Sequence, residues 1–342
     1  MRQNDYLMSL SSIIGRQDTF QFLHEELTNA LKMYWSTASA IVQGSNISLH
    51  EPSLEYYSIE NNLFAILFHY SYYKADIPVN RRILYTAVNQ CLKGMIAGCD
   101  NILDNEYQKA RYANLPEQRT QFRSILDILV SDRVLFSLFI NASANEIIPH
   151  SSVLTACFET LYSLTQSGIQ EASKKKSIGQ FLKPEQILNM IHHYKGGMLF
   201  QNPWAVPSVI EDQDQVDSTR IKEALYLIGI GYQILDDMVN FLSDIRTKHH
   251  NYIVSLIYFG NNSKERDLLE TIMASRDKKN DGINLLINFS DAMQIASSNT
   301  LAYLKKGILS LLKEEDKSLT DSLVAFVIEQ AGVDGFVAQY LN

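Results

Sequence analysis

An all-α fold is predicted for this chain by three features. Apolar residues recur at three- and four-residue spacings along most of its length, as expected of helices that each bury one stripe. Alternating apolar and polar runs of the strand type are scarce. Pro52, Pro78, Pro116, Pro149, Pro184, Pro203 and Pro207 divide the first two-thirds into segments of helix or helix-pair size, and no proline follows Pro207. The ring removes a backbone donor and sterically opposes continuation of a helix, so these positions mark joints.

Taken in order, the periodicity predicts helices near 18–43, 58–76, 80–112, 118–146, 150–172 and 184–200. It continues over 216–246, 249–259, 263–276, 280–312 and 318–339, with Gly260 and Asn261-Asn262-Ser263 forming a turn. No internal repeat is present. The segments 171–182, with its three adjacent lysines, and 202–217 are short enough to be interhelical loops, the lysine run reading as a solvated loop. The expectation is one all-α domain over 1–342, with 1–17 as a flexible N-terminal segment.

A composition of 46% hydrophobic and 20% charged residues supplies a sizeable core and excludes wholesale disorder. The formal charge of −8 argues against a nucleic-acid protein that relies on a general basic surface. Cys91, Cys99 and Cys157 form neither a CxxC nor an even set, which reads as buried, reduced thiols in a cytoplasmic protein without zinc. The first 18 residues meet polar and acidic positions too soon for a signal peptide. No apolar run reaches the roughly 18 residues of a membrane span, so no stable membrane insertion is expected.

The residues that carry chemistry are acidic and sit at helical intervals. In 87–106, Asp100 and Asp104 fall one turn apart beside the small residues Gly94, Ala97 and Gly98. Like charges at that spacing repel, which invites a compensating cation. In 225–248 a strongly apolar helix abruptly presents Asp236, Asp237, Asn240 and Asp244. At about 100° per residue, Asp236, Asn240 and Asp244 lie within an arc of about 80° over two turns, a ladder of three oxygen donors. Magnesium accepts such oxygens while keeping waters and bridging to phosphates, so two ladders point to a diphosphate held through metal ions. Basic partners are at hand in Arg246, Lys248 and Lys195, the last in the helix-end sequence YKGGMLFQNP. The pairs His192-His193 and His249-His250 point about 100° apart within a helix, cannot chelate together, and read as polar surface or helix-end residues.

With these motifs the chain resembles the trans-isoprenyl diphosphate synthase (polyprenyl synthetase) branch of the class I isoprenoid synthases. GYQILDDMVNFLSD at 231–244 resembles the second aspartate-rich motif with its aromatic-Gln pair, here Tyr232-Gln233. DNILD at 100–104 resembles DDxxD, with Asn101 for the second aspartate, and KGGMLF at 195–200 resembles Lys-Thr-x-x-Leu-Phe, with Gly196 for the threonine. The likeness covers roughly 60–260. It implies a single-domain helical bundle around a central active-site cavity, three Mg2+ per site, an allylic diphosphate substrate and a homodimer. Asp100, Asp104, Asp236, Asn240 and Asp244 would be metal ligands. Lys195, Arg111, Arg246 and Lys248 would bind the diphosphate, with Lys195, Gln233 and Arg246 catalytic and Gln233 orienting the diphosphate or a water. Met95 and Ile96 stand in the turn before the first motif, where elongating relatives limit product length.

Two departures shape the functional expectation. Elongating members carry a GGKRxRP segment and an Arg-Arg pair after the first motif, but this chain has EPSLEYYSIENN at 51–62 and Lys109-Ala110-Arg111. Asp236, Asn240 and Asp244 also keep the spacing of the metal triad of class I terpene synthases. The leading expectation is therefore a terpene synthase that ionises geranyl, farnesyl or geranylgeranyl diphosphate without elongating it. The alternatives are a prenyltransferase that joins the allylic group to isopentenyl diphosphate or another acceptor, and an inactive partner subunit of an active synthase.

Overall fold

Helices follow the proline punctuation closely in the computed structural model, which describes residues 18–50, 52–103, 114–115, 119–173, 181–211, 217–275, 284–312 and 317–333. The expected N-terminal segment 1–17, the lysine run 174–176, and the positions of Asp104 and Arg111 lie outside the described residues. The chain divides into two compact units, Met1–Thr165 with Asn202–Ser218, and Gln166–Gln201 with Thr219–Asn342.

The first unit is built on α1 (Asp18–Val42), α2 (Leu63–Lys74), α3 (Val79–Leu103), α4 (Thr120–Ala144) and the first part of α5 (Val153–Ser173). Pro78 directly precedes α3, and its carbonyl accepts the backbone N–H groups of Arg81 and Arg82. The α3 helix packs on α1, α2 and α4, and the apolar stripes of three of these elements meet in Leu27, Leu31, Val88, Cys91, Val134 and Phe139, all buried.

Polar ties lock this interior. The buried Tyr72 hydroxyl donates to Pro203 O (2.6 Å) and accepts from Asn89 Nδ2 (2.8 Å), and Trp204 Nε1 donates to Ser71 Oγ (2.8 Å). Arg82 grips Glu26 through two nitrogens at 2.6 and 2.9 Å, and His69 Nε2 lies 2.7 Å from the same carboxylate. One face stays uncovered: Phe122, Ile125, Leu129, Phe136 and Ile140 on α4, with Leu154, Phe158, Leu161 and Tyr162 on α5, are exposed. A cleft of about 360 Å³ opens beside it, lined by Met95, Leu135, Phe136, Cys157, Thr160 and Leu161.

The second unit contains a π-helix (Ile187–Met198), α6 (Ser218–Val239), α7 (Phe241–Thr247), α8 (Tyr252–Phe259), α9 (Ser263–Ala274), α10 (Ser290–Leu312) and α11 (Lys317–Gln330). Side-chain caps start two of these helices. Asn251 Oδ1 accepts from Ile253 N and Val254 N, and Asn262 Oδ1 accepts from Lys264 N and Glu265 N. Glycine allows α6 and α10 to meet closely, since a Cβ on Gly307 would stand 2.7 Å from Ala224 O.

Several details differ from the sequence expectations. The segment expected to be one helix over 216–246 is interrupted at Asn240 (φ −87°, ψ 3°), which separates a helix ending at Val239 from one starting at Phe241. The 280–312 helix begins as a single turn, Leu285–Asn288, and restarts after Phe289. Cys91 is a buried free thiol as expected, whereas Cys99 is exposed and Cys157 is half-buried. Among the described residues no helix is long and apolar enough to cross a membrane.

Candidate functional site

The second ladder survives the break at Asn240. Asn240 N donates to Asp236 O (2.9 Å) and Asp244 N donates to Asn240 O (2.8 Å), so these two four-residue bonds bridge the junction between α6 and α7. Asp236, Asn240 and Asp244 therefore keep the spacing that places them on one side. Their side chains are tied as well: Gln233 Nε2 donates to Asp236 Oδ2 (2.8 Å), Asn240 Nδ2 to Asp236 Oδ1 (3.0 Å), and Asn251 Nδ2 to Asp244 Oδ2 (2.8 Å).

Lys195 stands in the last turn of the π-helix, in keeping with its helix-end sequence. A pair of glycines sets its position. A Cβ on Gly196 would fall 2.5 Å from Gly229 O, and a Cβ on Gly229 would collide with Gly196 O, so the π-helix and α6 touch backbone to backbone. That contact explains why glycine stands where the family resemblance leads one to expect threonine. Lys195 Nζ then lies 3.9 Å from Asp236 Oδ2, with 43% of its side chain exposed. It is an exposed cation beside the acid cluster rather than a buried partner.

Electrostatics marks this corner. Burial pushes the Asp236 carboxyl above its ordinary value; Lys195 pulls it back down and Asp237 pushes it up further. Asp244 rises to about 7, again chiefly by burial, with Asn251 and Lys195 opposing and Asp237 and Asp236 adding repulsion. Partly desolvated carboxylates that repel one another favour an added cation.

The donor chemistry fits magnesium, since two carboxylates and an amide oxygen are all hard ligands. Among the described residues no three His, Cys, Asp or Glu side chains converge to hold an ion by themselves. The set suits a cation that retains water and takes further oxygens from a bound phosphate.

The other predicted residues that the structure describes fall in both units, Gln233, Arg246 and Lys248 in the second and Met95, Ile96 and Asp100 in the first. Arg246 and Lys248 are exposed, Arg246 in the last turn of α7 and Lys248 at its C-cap in the left-handed region (φ 58°). Gln233 is buried and its Nε2 donates to Asp236 Oδ2. Asp100 and Ile96 are half-buried on α3 in the first unit, and Met95 lines the cleft there.

Sequence reasoning missed three residues. His192, expected at the surface, is fully buried, and its Nε2 lies 2.9 Å from Asp237 Oδ2. Asn251 and the Tyr252 backbone N–H also serve this cluster. An Asn directly before an apolar run is a helix-start signal, so Asn251 was findable. His192 was not, because the π-helix shifts which residues face inward.

Comparison with known proteins gives a family-model match and a shared fold. Residues 120–289 match the polyprenyl synthetase family model. No curated protein sequence matches the chain. Geranylgeranyl pyrophosphate synthase from Corynebacterium glutamicum shares the fold with a TM-score of 0.60 at 12% identity, covering 96% of this chain and 98% of that one. Octaprenyl pyrophosphate synthase from Helicobacter pylori gives 0.59 at 13% identity, covering 89% and 98%. Geranylgeranyl pyrophosphate synthetase from the archaeon Geoglobus acetivorans gives 0.56 at 15%, covering 91% and 97%. At these identities the likeness speaks for the helical fold.

Proposed function

We propose, from the match of residues 120–289 to the polyprenyl synthetase family model, that the chain ionises a linear allylic isoprenyl diphosphate and transfers the allylic group to an acceptor. The observation that carries this reading is the intact Asp236, Asn240 and Asp244 ladder with Lys195 at 3.9 Å from Asp236. The match to that family favours transfer over the terpene synthase reading that the sequence put first.

In the proposed reaction the allylic C–O bond breaks and its electron pair leaves with the diphosphate. The acceptor's π electrons form the new C–C bond, and a proton is then lost from the adjacent carbon. Asp236, Asn240 and Asp244 would hold magnesium, which supplies neutralisation of charge on the leaving group. Asp100 and Asp104 are proposed as further oxygen donors. Lys195 donates a charge-assisted hydrogen bond to a phosphate oxygen as negative charge grows there. Arg246, Lys248 and Arg111 are proposed as outer diphosphate contacts, and Gln233 holds the Asp236 carboxylate in place.

A specific observation favours a second reading. Basic residues are absent from 51–62, and Lys109-Ala110-Arg111 replaces an arginine pair, so the second-substrate phosphate has fewer partners and ionisation without elongation would give a terpene. Incubation with magnesium and geranyl, farnesyl or geranylgeranyl diphosphate, with and without isopentenyl diphosphate, separates the two. A lengthened diphosphate supports transfer, and a hydrocarbon or alcohol made without acceptor supports the second reading. No diphosphate release from any substrate would sink both and leave an inactive partner subunit. Asp236→Ala and Asn240→Ala are expected to abolish release while the protein stays folded; wild-type rates in both would remove the ladder from the chemistry.

We also propose a homodimer through the exposed apolar face of α4 and α5. Exposed apolar patches larger than about 600 Å² are uncommon on monomers, and the nine large side chains on this face form an extended one.

A further inference from the structure

Asp236 and Asp237 are neighbours in sequence, yet the fold treats them in opposite ways. Adjacent helical residues point about 100° apart, so one ligand cannot be met by both from the same face. The Asp236 side chain retains 34% of its exposure and the Asp237 side chain 6%. Asp237 Oδ2 accepts two hydrogen bonds, from His192 Nε2 (2.9 Å) and from the Tyr252 backbone N–H (2.6 Å). Its backbone oxygen accepts from Asn251 Nδ2 (2.7 Å), and the same amide nitrogen donates to Asp244 Oδ2 (2.8 Å). Asn251 uses its oxygen to cap α8, so the residue is committed at both ends of its amide.

His192 completes the arrangement. It is fully buried, and its Nδ1 makes no hydrogen bond. The contact places a hydrogen on Nε2, because the Asp237 carboxylate oxygen can only accept. The ring is thus a one-directional donor aimed at Asp237, reaching from the π-helix that carries Lys195 three residues later.

We propose that Asp237 is a positioning residue and not a cation ligand. Held by His192 and the Tyr252 N–H, it pins the π-helix and the start of α8 to α6. It thereby sets Lys195 against Asp236 and, through the shared Asn251 amide, turns Asp244 toward the ladder. His192 and Asn251 are positioning residues in the same sense. This rests on the reading of Asp236, Asn240 and Asp244 as the cation site.

The test uses full-length protein, with Mn2+ as probe in the presence of inorganic diphosphate, titrated calorimetrically, alongside steady-state kinetics and thermal unfolding. Asp237→Asn is expected to leave Mn2+ affinity within about threefold of wild type, because the amide oxygen can accept the same two hydrogen bonds. Asp236→Asn should weaken affinity by more than about tenfold. His192→Ala should lower kcat by about 10- to 100-fold with a smaller change in KM, the size seen when a group behind a ligand is removed, and His192→Gln should recover part of it.

The assignment is overturned if Asp237→Asn loses Mn2+ affinity as Asp236→Asn does, or if His192→Ala keeps wild-type kinetics. It is also overturned if His192→Gln fails to rescue while melting like wild type. Should His192→Ala fail to fold, the Gln and Asp237→Asn variants still decide. Failure of the underlying reading looks different: Asp236→Asn would then be silent toward Mn2+, and the assignment would fall with the cation site itself.

Discussion

Replacing Gly196 by alanine tests the backbone contact on which the site depends. The added Cβ would lie 2.5 Å from Gly229 O and 3.0 Å from Gln233 Cβ. The nearer obstacle is backbone, so no side-chain rotation relieves it, and the π-helix must retreat from α6 by about 1 Å. Overpacking of this kind costs about 1–3 kcal/mol, and the rigid obstacle argues for the upper end. Alanine offsets about 1 kcal/mol of that through its better helix propensity. The net loss is about 2 kcal/mol, which corresponds to a fall in melting temperature of about 4–8 °C for a body of this size.

The same retreat moves Lys195 away from Asp236, now 3.9 Å apart. Misplacement by about 1 Å near reacting groups can cost about 100-fold in rate. Thermal unfolding and diphosphate release measured well below the melting temperature separate the two effects. Gly168→Ala is the control: a Cβ there meets nothing within 4 Å, and the change is expected to be neutral or stabilising by up to about 1 kcal/mol. If Gly196→Ala melts at or above the wild-type temperature with unchanged diphosphate release, the helices do not touch as described and the argument for Lys195 placement fails.

Other outcomes follow from the first unit and its surface. Tyr72→Phe strips Asn89 Nδ2 and Pro203 O of their partner and should cost about 1–3 kcal/mol in urea unfolding; no loss would mean these groups find new partners. Burial alone would raise the Glu26 carboxyl, but hydrogen bonds from His69 and Arg82 outweigh it and hold the carboxyl below its ordinary value. Burial holds His69 below its own ordinary value against the pull of Glu26. Both folded values are depressed, so both contributions are present above the unfolded values, near 6.5 for His and 4.5 for Glu, and are lost as pH falls below them. Melting temperature should therefore drop from pH 7 toward pH 4, and Glu26→Gln should flatten the lower part of that slope; an unchanged profile would remove Glu26 from the linkage. Leu129→Glu places a charge on the exposed apolar face and should convert a dimer to monomer in sedimentation velocity, while a monomeric wild type would refute the dimer directly.

Much of this fold was legible because helix periodicity and proline are local signals, and local signals survive in a single sequence. The ladder was legible for the same reason: Asp236, Asn240 and Asp244 depend only on the pitch of one helix. What sequence reasoning missed depends on a second element. His192 faces inward because the segment Ile187–Met198 winds as a π-helix, a register that a 3.6-residue pattern does not express. Gly196 looked like a lapse from an expected threonine until Gly229 was found against it, since a β-branched side chain there would strike a backbone carbonyl. The substitution and the close approach explain each other, and neither is visible when the π-helix and α6 are considered separately. Asp236 and Asp237 teach the same lesson at one position's remove. They share a residue type and a motif, and only the partners across the gap, Lys195 for one and His192 for the other, divide the partly exposed carboxylate from the buried one.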